Sequence, residues 1–335
     1  MKIVLIIPAS MMISGSISGV NRSANSFYRS LKITGYDVSF LHHDDGIENY
    51  DIAFIFQHNL EIVNLINRIR EKNKKIKIFF RPHYDPQKKS SFILKLIYRF
   101  PFELFNFNVS PRSMRLAFDK VDQIISVSSW EYAAIKSTGT NTPCTIVPIS
   151  LPIEVGSDLE GNEKNIDYLF VGMIDQPRKN VMRLIKAINN IGGHIHLVGK
   201  TEIKYIRKQK KLITNNDSSI TYHGMLSDKQ LKDIYSRTRV LCLPSLFEGV
   251  GQVAMEAYSF GAKIVITSIG GPRDYFKKDA FFVQNPLSIS DISRCLTAAL
   301  SSSESICVIN KEYISKYSEA NIGRKLSKII KNLVS

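Results

Sequence analysis

At 335 residues the chain exceeds the roughly 250–300 residues at which a single core usually stops growing, so two domains are expected. Its composition, 44% hydrophobic and 22% charged, is that of a globular protein, and no apolar run approaches the roughly 18 residues of a membrane span, which excludes a helical integral membrane protein. The formal net charge is +15, and the four cysteines, Cys144, Cys242, Cys295 and Cys307, lie far apart without a C-x-x-C pair, which argues against a zinc ribbon or a disulfide framework and fits a reducing cytoplasm.

The opening, MKIVLIIPASMM, carries one lysine and no A-x-A site after Pro8, so it reads as a first strand over 2–8 rather than a leader. A Gly/Ser loop over 14–20 follows, then a helix that Gly35 ends. Strands are expected over 36–43, 51–58, 75–83, 120–129 and 145–151, with an amphipathic helix over 61–75 and another from Trp130. Apolar strands separated by helix-length segments specify a doubly wound parallel sheet. Residues 155–165, VGSDLEGNEKN, are polar and aperiodic and read as a linker. A second series follows: strands over 166–172, 193–199, 219–224, 240–245 and 263–268, helices near 179–190 and 201–214, and a helix that Ser227 caps over 227–238. The domains are therefore placed at 1–154 and 166–317, with a C-terminal helix over about 318–335 packing back on the first. Two such domains imply a cleft faced by the carboxyl ends of both sheets, where ligands bind.

The positive charge is uneven. Residues 61–120 hold fourteen Lys and Arg against five Asp and Glu. Such a field favours anionic partners, while any one lysine is read as well by a solvated surface.

The chemistry concentrates in FEGVGQVAME, 247–256. Glu248 follows an apolar strand. Gly249 and Gly251 allow a sharp turn and a close approach to a ligand. A helix then begins, and its first N–H groups have no intrahelical acceptor, which suits an anion or a polarised oxygen. Glu256 stands one turn inside. Ionised carboxylates accept hydrogen bonds from several hydroxyls, so the pair suits a hydroxyl-rich ligand. An isolated E-x7-E is read as well by a helix-dipole partner and a solvated face. Here, however, a second strand and a second glycine turn, Gly270-Gly271-Pro272, follow directly.

The run PSLFEGVGQVAMEAYSFGAKIVITSIGGPRD, 244–274, resembles the retaining glycosyltransferases of family 4, which have the GT-B fold. FVGMIDQPRKNVMRLIKAI, HGMLSDKQLKDIYSRTRVLCLPS and ISVSSWEYAAIKSTG resemble other segments of that family. The resemblance is strong over about 166–290. It implies that Glu256 holds the ribose of a nucleotide-sugar. It implies that Glu248 contacts the donor sugar, helped by the amides of Val250, Gly251 and Gln252. Lys179 would neutralise the diphosphate leaving group. Where the family usually has Arg after the glycine of the first turn, Gly172, this chain has Met173, and Arg178 beside Lys179 is the candidate replacement. The Gly15–Gly19 loop corresponds to the acceptor-domain turn beneath the diphosphate. His83, at the end of a strand, corresponds to a family histidine near the sugars; a loop histidine closing a strand reads it equally. Fixed cations and helix N–H groups stabilise a departing diphosphate without a metal. No D-x-D pair ends a strand, and Asp44-Asp45 sits in a loop, so no metal and no cofactor is expected; the nucleotide-sugar is a co-substrate.

Residues 86–107 interleave Lys88, Lys89, Lys95 and Arg99 with Phe and Ile. Two readings stand: an interfacial segment on anionic lipid, or a core helix with snorkelling lysines. The expectation is a metal-independent retaining hexosyltransferase, cytoplasmic and peripheral on the inner membrane face. It would use a nucleotide-sugar, GDP-mannose being one candidate, and a saccharide or lipid-linked acceptor in surface-polysaccharide or lipopolysaccharide synthesis. The rivals are a nucleotide-sugar epimerase of the same fold, a basic nucleic-acid-binding protein without a recognisable RNA motif, and a non-catalytic scaffold.

Overall fold

The structure, a computed structural model, describes residues 1–7, 19–41, 46–56, 61–83, 110–151, 163–302 and 311–334. Gly15, Asp44-Asp45, Lys88, Lys89, Lys95, Arg99, the whole of 86–107, Cys307 and most of the expected linker lie outside the described residues. The chain divides into two compact units, Met1–Ser150 with Tyr317–Ser335, and Leu151–Lys316.

The first unit is built on a parallel sheet of β1 (Lys2–Ile6), β2 (Asp37–Leu41), β3 (Ile52–Phe56), β4 (Lys77–Arg81), β5 (Gln123–Ser126) and β6 (Cys144–Ile146), in the order β2-β1-β3-β4-β5-β6. The central strand β3, IAFIF, is buried at every position, which is why its sequence is a continuous apolar run and not an alternation. Helices α1 (Gly19–Ile33), α2 (Ile62–Lys72), α3 (Ser110–Asp119) and α4 (Ser129–Ser137) cover it. Helix α2 buries Ile62, Leu65, Ile66 and Ile69, one stripe at helical spacing. From α1, Phe27 sets its ring edge-on to Phe54 and Phe56 at 6.1 and 5.5 Å. Ser128 caps α4 by accepting from Glu131 N.

Strand β6 ends before the run 145–151 does, because Pro148 has no N–H for the ladder. Helix α1 begins at Gly19, earlier than the polar start of its sequence suggested.

The second unit repeats the plan with β7 (Ile166–Val171), β8 (Gly193–Val198), β9 (Ser218–Gly224), β10 (Thr238–Leu243), β11 (Lys263–Thr267) and β12 (Ala280–Val283), all parallel in the order β12-β11-β10-β7-β8-β9. Its helices are α5 (Val181–Ile191), α6 (Ile203–Lys210), α7 (Asp228–Ser236), α8 (Gln252–Ser259), α9 (Pro272–Phe276), α10 (Ile289–Ser301) and α11 (Lys311–Lys316). A capping box at Ser227 and Gln230 starts α7. The helix expected near 179–190 starts at Val181 instead, because Pro177–Lys179 form a turn of 3-10 helix and Asn180 then takes φ +60°, outside the right-handed region.

The last helix, α12 (Glu319–Val334), lies in the first unit against α1. Gly323 lets the two backbones meet: a Cβ there would sit 2.1 Å from the Ser30 carbonyl oxygen. Tyr36 Oη and Ser327 Oγ, 2.9 Å apart, and an Arg29–Glu319 ion pair hold the same helix.

In the second sheet the strand order reverses between β7 and β10. From β7 the chain winds toward β8, and from β10 toward β11, so their connections leave in opposite directions. A crevice opens between them at the carboxyl ends, the place where open α/β sheets take ligands.

Candidate functional site

Glu248 follows β10 at this reversal. Its backbone is locked to the second glycine turn: Glu248 N donates to Ile269 O, and Glu248 O accepts from Gly271 N, both at 3.1 Å. It also bridges Gly270 as a single parallel pair. The approach requires glycine, since a Cβ at Gly270 would lie 1.8 Å from Glu248 O, and φ there is +110°.

The carboxylate of Glu248 is buried, with 6% of the residue exposed. Lys179 Nζ and Ser245 Oγ both reach its Oε1 at 2.7 Å, and the Arg178 guanidinium stands 3.7 Å from Oε2. Burial pushes the carboxyl toward its neutral form. The charges of Lys179 and Arg178, with the Lys179 and Ser245 hydrogen bonds, outweigh burial and hold its pKa below the ordinary carboxylate value.

The two cations come from the turn after β7, and that turn is stitched to the turn after β10. Leu246 N donates to Arg178 O at 2.8 Å, and Arg178 Nη1 donates to Phe247 O at 2.8 Å, with the guanidinium 5.1 Å from the Phe247 ring centre. Asn180 Nδ2 donates to the carbonyls of Pro244, at 2.8 Å, and Pro286, at 2.6 Å. One asparagine in a left-handed conformation thus ties three loops at the ends of the strands.

Gly172 closes the floor beside Lys179. A Cβ at Gly172 would stand 3.7 Å from Lys179 Cε, and a Cβ at Gly199, after β8, would stand 1.8 Å from Gly172 O. Met173 is 53% exposed and brings no charge; the second cation at Glu248 is Arg178.

Gly251 precedes α8 with φ +85°, and a Cβ there would meet Ile266 Cδ1 at 2.7 Å. Gly249 is exposed, Val250 is buried and Gln252 is half-buried at the helix start. As in any helix, the first amides of α8 have no intrahelical acceptor and carry the positive end of its dipole. Around Glu248, two cations face one carboxylate, which leaves an excess positive charge beside those amides.

Glu256 is not on a solvated face. It is 3% exposed, and Tyr235 Oη, from α7, donates to its Oε2 at 2.7 Å. Tyr235 is fully buried and stacks on Phe260 with ring centres 6.0 Å apart. The two glutamates therefore have separate settings: Glu248 among cations, Glu256 under a phenol.

His83 lies in the first unit, just beyond β4, with φ +49° and its ring 6.4 Å from that of Phe56. Nearby, Arg81 Nη1 and Glu131 Oε1 form a buried pair at 2.6 Å. Gly19 is the first residue of α1.

Ser245, Asn180 and Tyr235 escaped the sequence reading. Ser245 carried a signal, three residues before Glu248 in a turn. Tyr235 looked like an ordinary apolar position of an amphipathic helix, and Asn180 gave no sign beyond its place after Lys179.

Residues 157–319, the segment that holds both glutamates and both cations, match the family described as glycosyl transferases group 1. Among relatives, the chain is 28% identical over 197 residues to the serotype-specific mannosyltransferase WbdA of Escherichia coli, covering 55% of this chain and 22% of WbdA. It is 26% identical over 157 residues to the MMP alpha-(1->4)-mannosyltransferase of Mycolicibacterium hassiacum, covering 45% of this chain and 38% of that protein. The first curated relatives are matched over less than half of their own length. Among solved structures, HepE of Anabaena in complex with UDP-glucose superposes with a TM-score of 0.73 at 12% identity, over 99% of this chain and all of that one. That likeness is one of fold, and the GT-B fold expected from the sequence is the fold found.

Proposed function

We propose that this chain, which matches the glycosyl transferases group 1 family over residues 157–319, transfers a hexose from a nucleoside-diphosphate sugar to a saccharide acceptor. The observation that carries the reading is the convergence of Lys179 and Arg178 on buried Glu248, beside the amino end of α8 at the reversal of the sheet.

The chemistry follows from the charges. The anomeric C–O bond to phosphate breaks and its electron pair goes to the diphosphate. Lys179 Nζ and Arg178 meet that growing charge, as do the first amides of α8, in a setting already arranged before the bond breaks. Glu248 holds the lysine in place and offers Oε2 to sugar hydroxyls. The acceptor hydroxyl attacks the same face of the anomeric carbon that the leaving group quits, and its proton passes to a departing phosphate oxygen. This retains configuration and needs no metal. Glu256, fixed by Tyr235, accepts from the ribose hydroxyls. The relatives named as mannosyltransferases support a mannosyl donor, and with it GDP-mannose as the first nucleotide-sugar to try. We take the acceptor to be a saccharide of surface-polysaccharide assembly, in keeping with the serotype-specific mannosyltransferase WbdA, and to be lipid-linked at an anionic membrane face. No helix among the described residues is long and apolar enough to cross a membrane.

A thermal-shift screen against UDP, GDP, ADP, CMP and their sugars tests the reading, since a ligand of the folded state alone raises its melting temperature. One nucleoside diphosphate is expected to raise it in the wild type and not in Glu256→Ala. No shift with any nucleotide at millimolar concentration contradicts the proposal.

A further inference from the structure

Helix α12 has a second face that the first unit's core does not use. Ile322, Gly323, Leu326 and Ile330 are buried on one stripe. On the opposite stripe Arg324, Lys325, Lys328 and Lys331 are exposed, and no acid accompanies them from Arg324 to the end of the helix. None of the four makes an ion pair among the described residues, whereas Arg29, Arg70, Arg115, Arg237, Arg239 and Arg294 each do. At spacings of three and four residues these cations repel one another, and only Lys331 lies where the helix dipole favours it. Such a stripe is relieved by an anionic partner.

Beside it runs a groove of about 540 Å³ between α12 and the edge strand β6. An apolar stripe of Ile146, Val147, Ile329 and Leu333 runs along it among the polar side chains of Gln123, Thr145 and Asn332, and Lys325 and Lys328 stand on its lip. Ile146 is 40% exposed and Val334, at the end of the helix, 46%. A trough with such a stripe and cations on its rim matches an anionic amphiphile, whose hydrocarbon lies along the stripe while its polar head and phosphate meet the amides and the lysines. A purely polar anion leaves the trough wet, and a neutral apolar partner leaves the cations unrelieved.

We propose that the α12–β6 face docks the protein on an anionic phospholipid membrane. The transferase reading motivates a lipid surface over a soluble anion, but the docking itself needs no nucleotide. The expected contribution is several-fold per lysine.

Sedimentation of the full chain with phosphatidylglycerol–phosphatidylcholine vesicles, and with phosphatidylcholine alone, measures it. The wild type is expected to bind the first and not the second. Lys325→Ala/Lys328→Ala is expected to weaken binding by about 30-fold, and Ile146→Asn to weaken it further, with nucleotide-induced thermal shifts unchanged in both. Lys208→Ala/Lys210→Ala, on the basic helix α6, is the control and is expected to change binding less than about threefold. Wild-type binding to both vesicles alike, or to neither, overturns the proposal. So does an equal loss in the α6 control, which makes the effect one of overall charge, and so does wild-type binding by Lys325→Ala/Lys328→Ala, which assigns the membrane contact elsewhere. Retained nucleotide shifts in any of these cases leave the transferase reading standing.

Discussion

Lys179 Nζ and Glu248 Oε1, 69 residues apart in the chain, lie 2.7 Å apart at the carboxyl ends of β7 and β10. The pair spans the point where the sheet changes direction, so it closes the crevice that the topology opens.

Its removal has a predictable cost. Lys179→Met leaves a buried carboxylate with only Ser245 and the more distant Arg178, and is expected to destabilise the fold by about 2–3 kcal/mol. Lys179→Met/Glu248→Gln removes both charges and is expected to recover most of that loss. Urea unfolding of the single and double variants checks it, and additive losses contradict a coupled pair. Because the folded pKa of Glu248 lies below its ordinary value, the carboxylate's contribution is present above about pH 4.5 and fades as the pH falls further. Glu248→Gln is expected to lose that acid limb.

Tyr235 and Glu256 make a second test. Tyr235→Phe deletes one buried donor and is expected to cost about 1–2 kcal/mol, leaving the carboxylate short of a partner. If the hydroxyl orients Glu256 toward ribose, the variant also narrows the difference in affinity between a ribonucleotide and its 2′-deoxy form. Unchanged discrimination restricts Tyr235 to packing.

A third prediction concerns pH near neutrality. His194, His196 and His223 lie in a row along β8 and β9 with ring centres 4.5 and 5.0 Å apart, the second pair stacked, and His196 Nδ1 and His223 Nε2 are hydrogen-bonded at 2.8 Å. Burial, then the neighbouring His194 and His223, then Arg237 push the pKa of His196 down from 6.5 to about 4; burial, Arg237 and His194 lower His223 as well. The folded state therefore binds fewer protons than the unfolded chain. Stability is complete above about pH 6.5 and falls as the pH drops toward 4. The cluster is half-exposed, so screening by water reduces the effect to about 1 kcal/mol. Melting curves between pH 7.5 and 4.5 are expected to show the decline in the wild type and a shallower one in His196→Gln.

Gly270 offers a steric test. Gly270→Ala sets a Cβ against Glu248 O and forbids the native φ, so a loss of roughly 3 kcal/mol is expected, together with weaker nucleotide binding. Chemical unfolding and the thermal-shift response measure the two effects. A variant as stable as the wild type shows that the two glycine turns are free to separate.

Much of this architecture was legible in the sequence, for physical reasons. Strands such as IAFIF are buried on both faces and read as unbroken apolar runs. Strand β12, AFFV, is short, half-buried and follows a charged KKD, so it gave no such run. Helix α10 buries Ile292, Cys295, Leu296 and Ala299 at helical spacing and Ser288 caps it, a signal the sequence carried and the reading passed over. The glutamates stood out because glycines surround them. Their partners did not, since spacing along a chain does not reveal which side chains meet across a sheet. Glu248 is the clearest case: the family resemblance assigned it to the sugar, and the structure shows it holding Lys179.

On the proposed reading Lys179 and Arg178, steadied by Glu248, cradle the diphosphate. Calorimetric titration of the best-stabilising nucleoside diphosphate, and of its monophosphate, into wild type and Lys179→Met tests it most directly. The account predicts that the wild type prefers the diphosphate and that Lys179→Met, while still folded, loses about tenfold or more in affinity for the diphosphate and much less for the monophosphate. Equal affinities of the two proteins for the diphosphate contradict it.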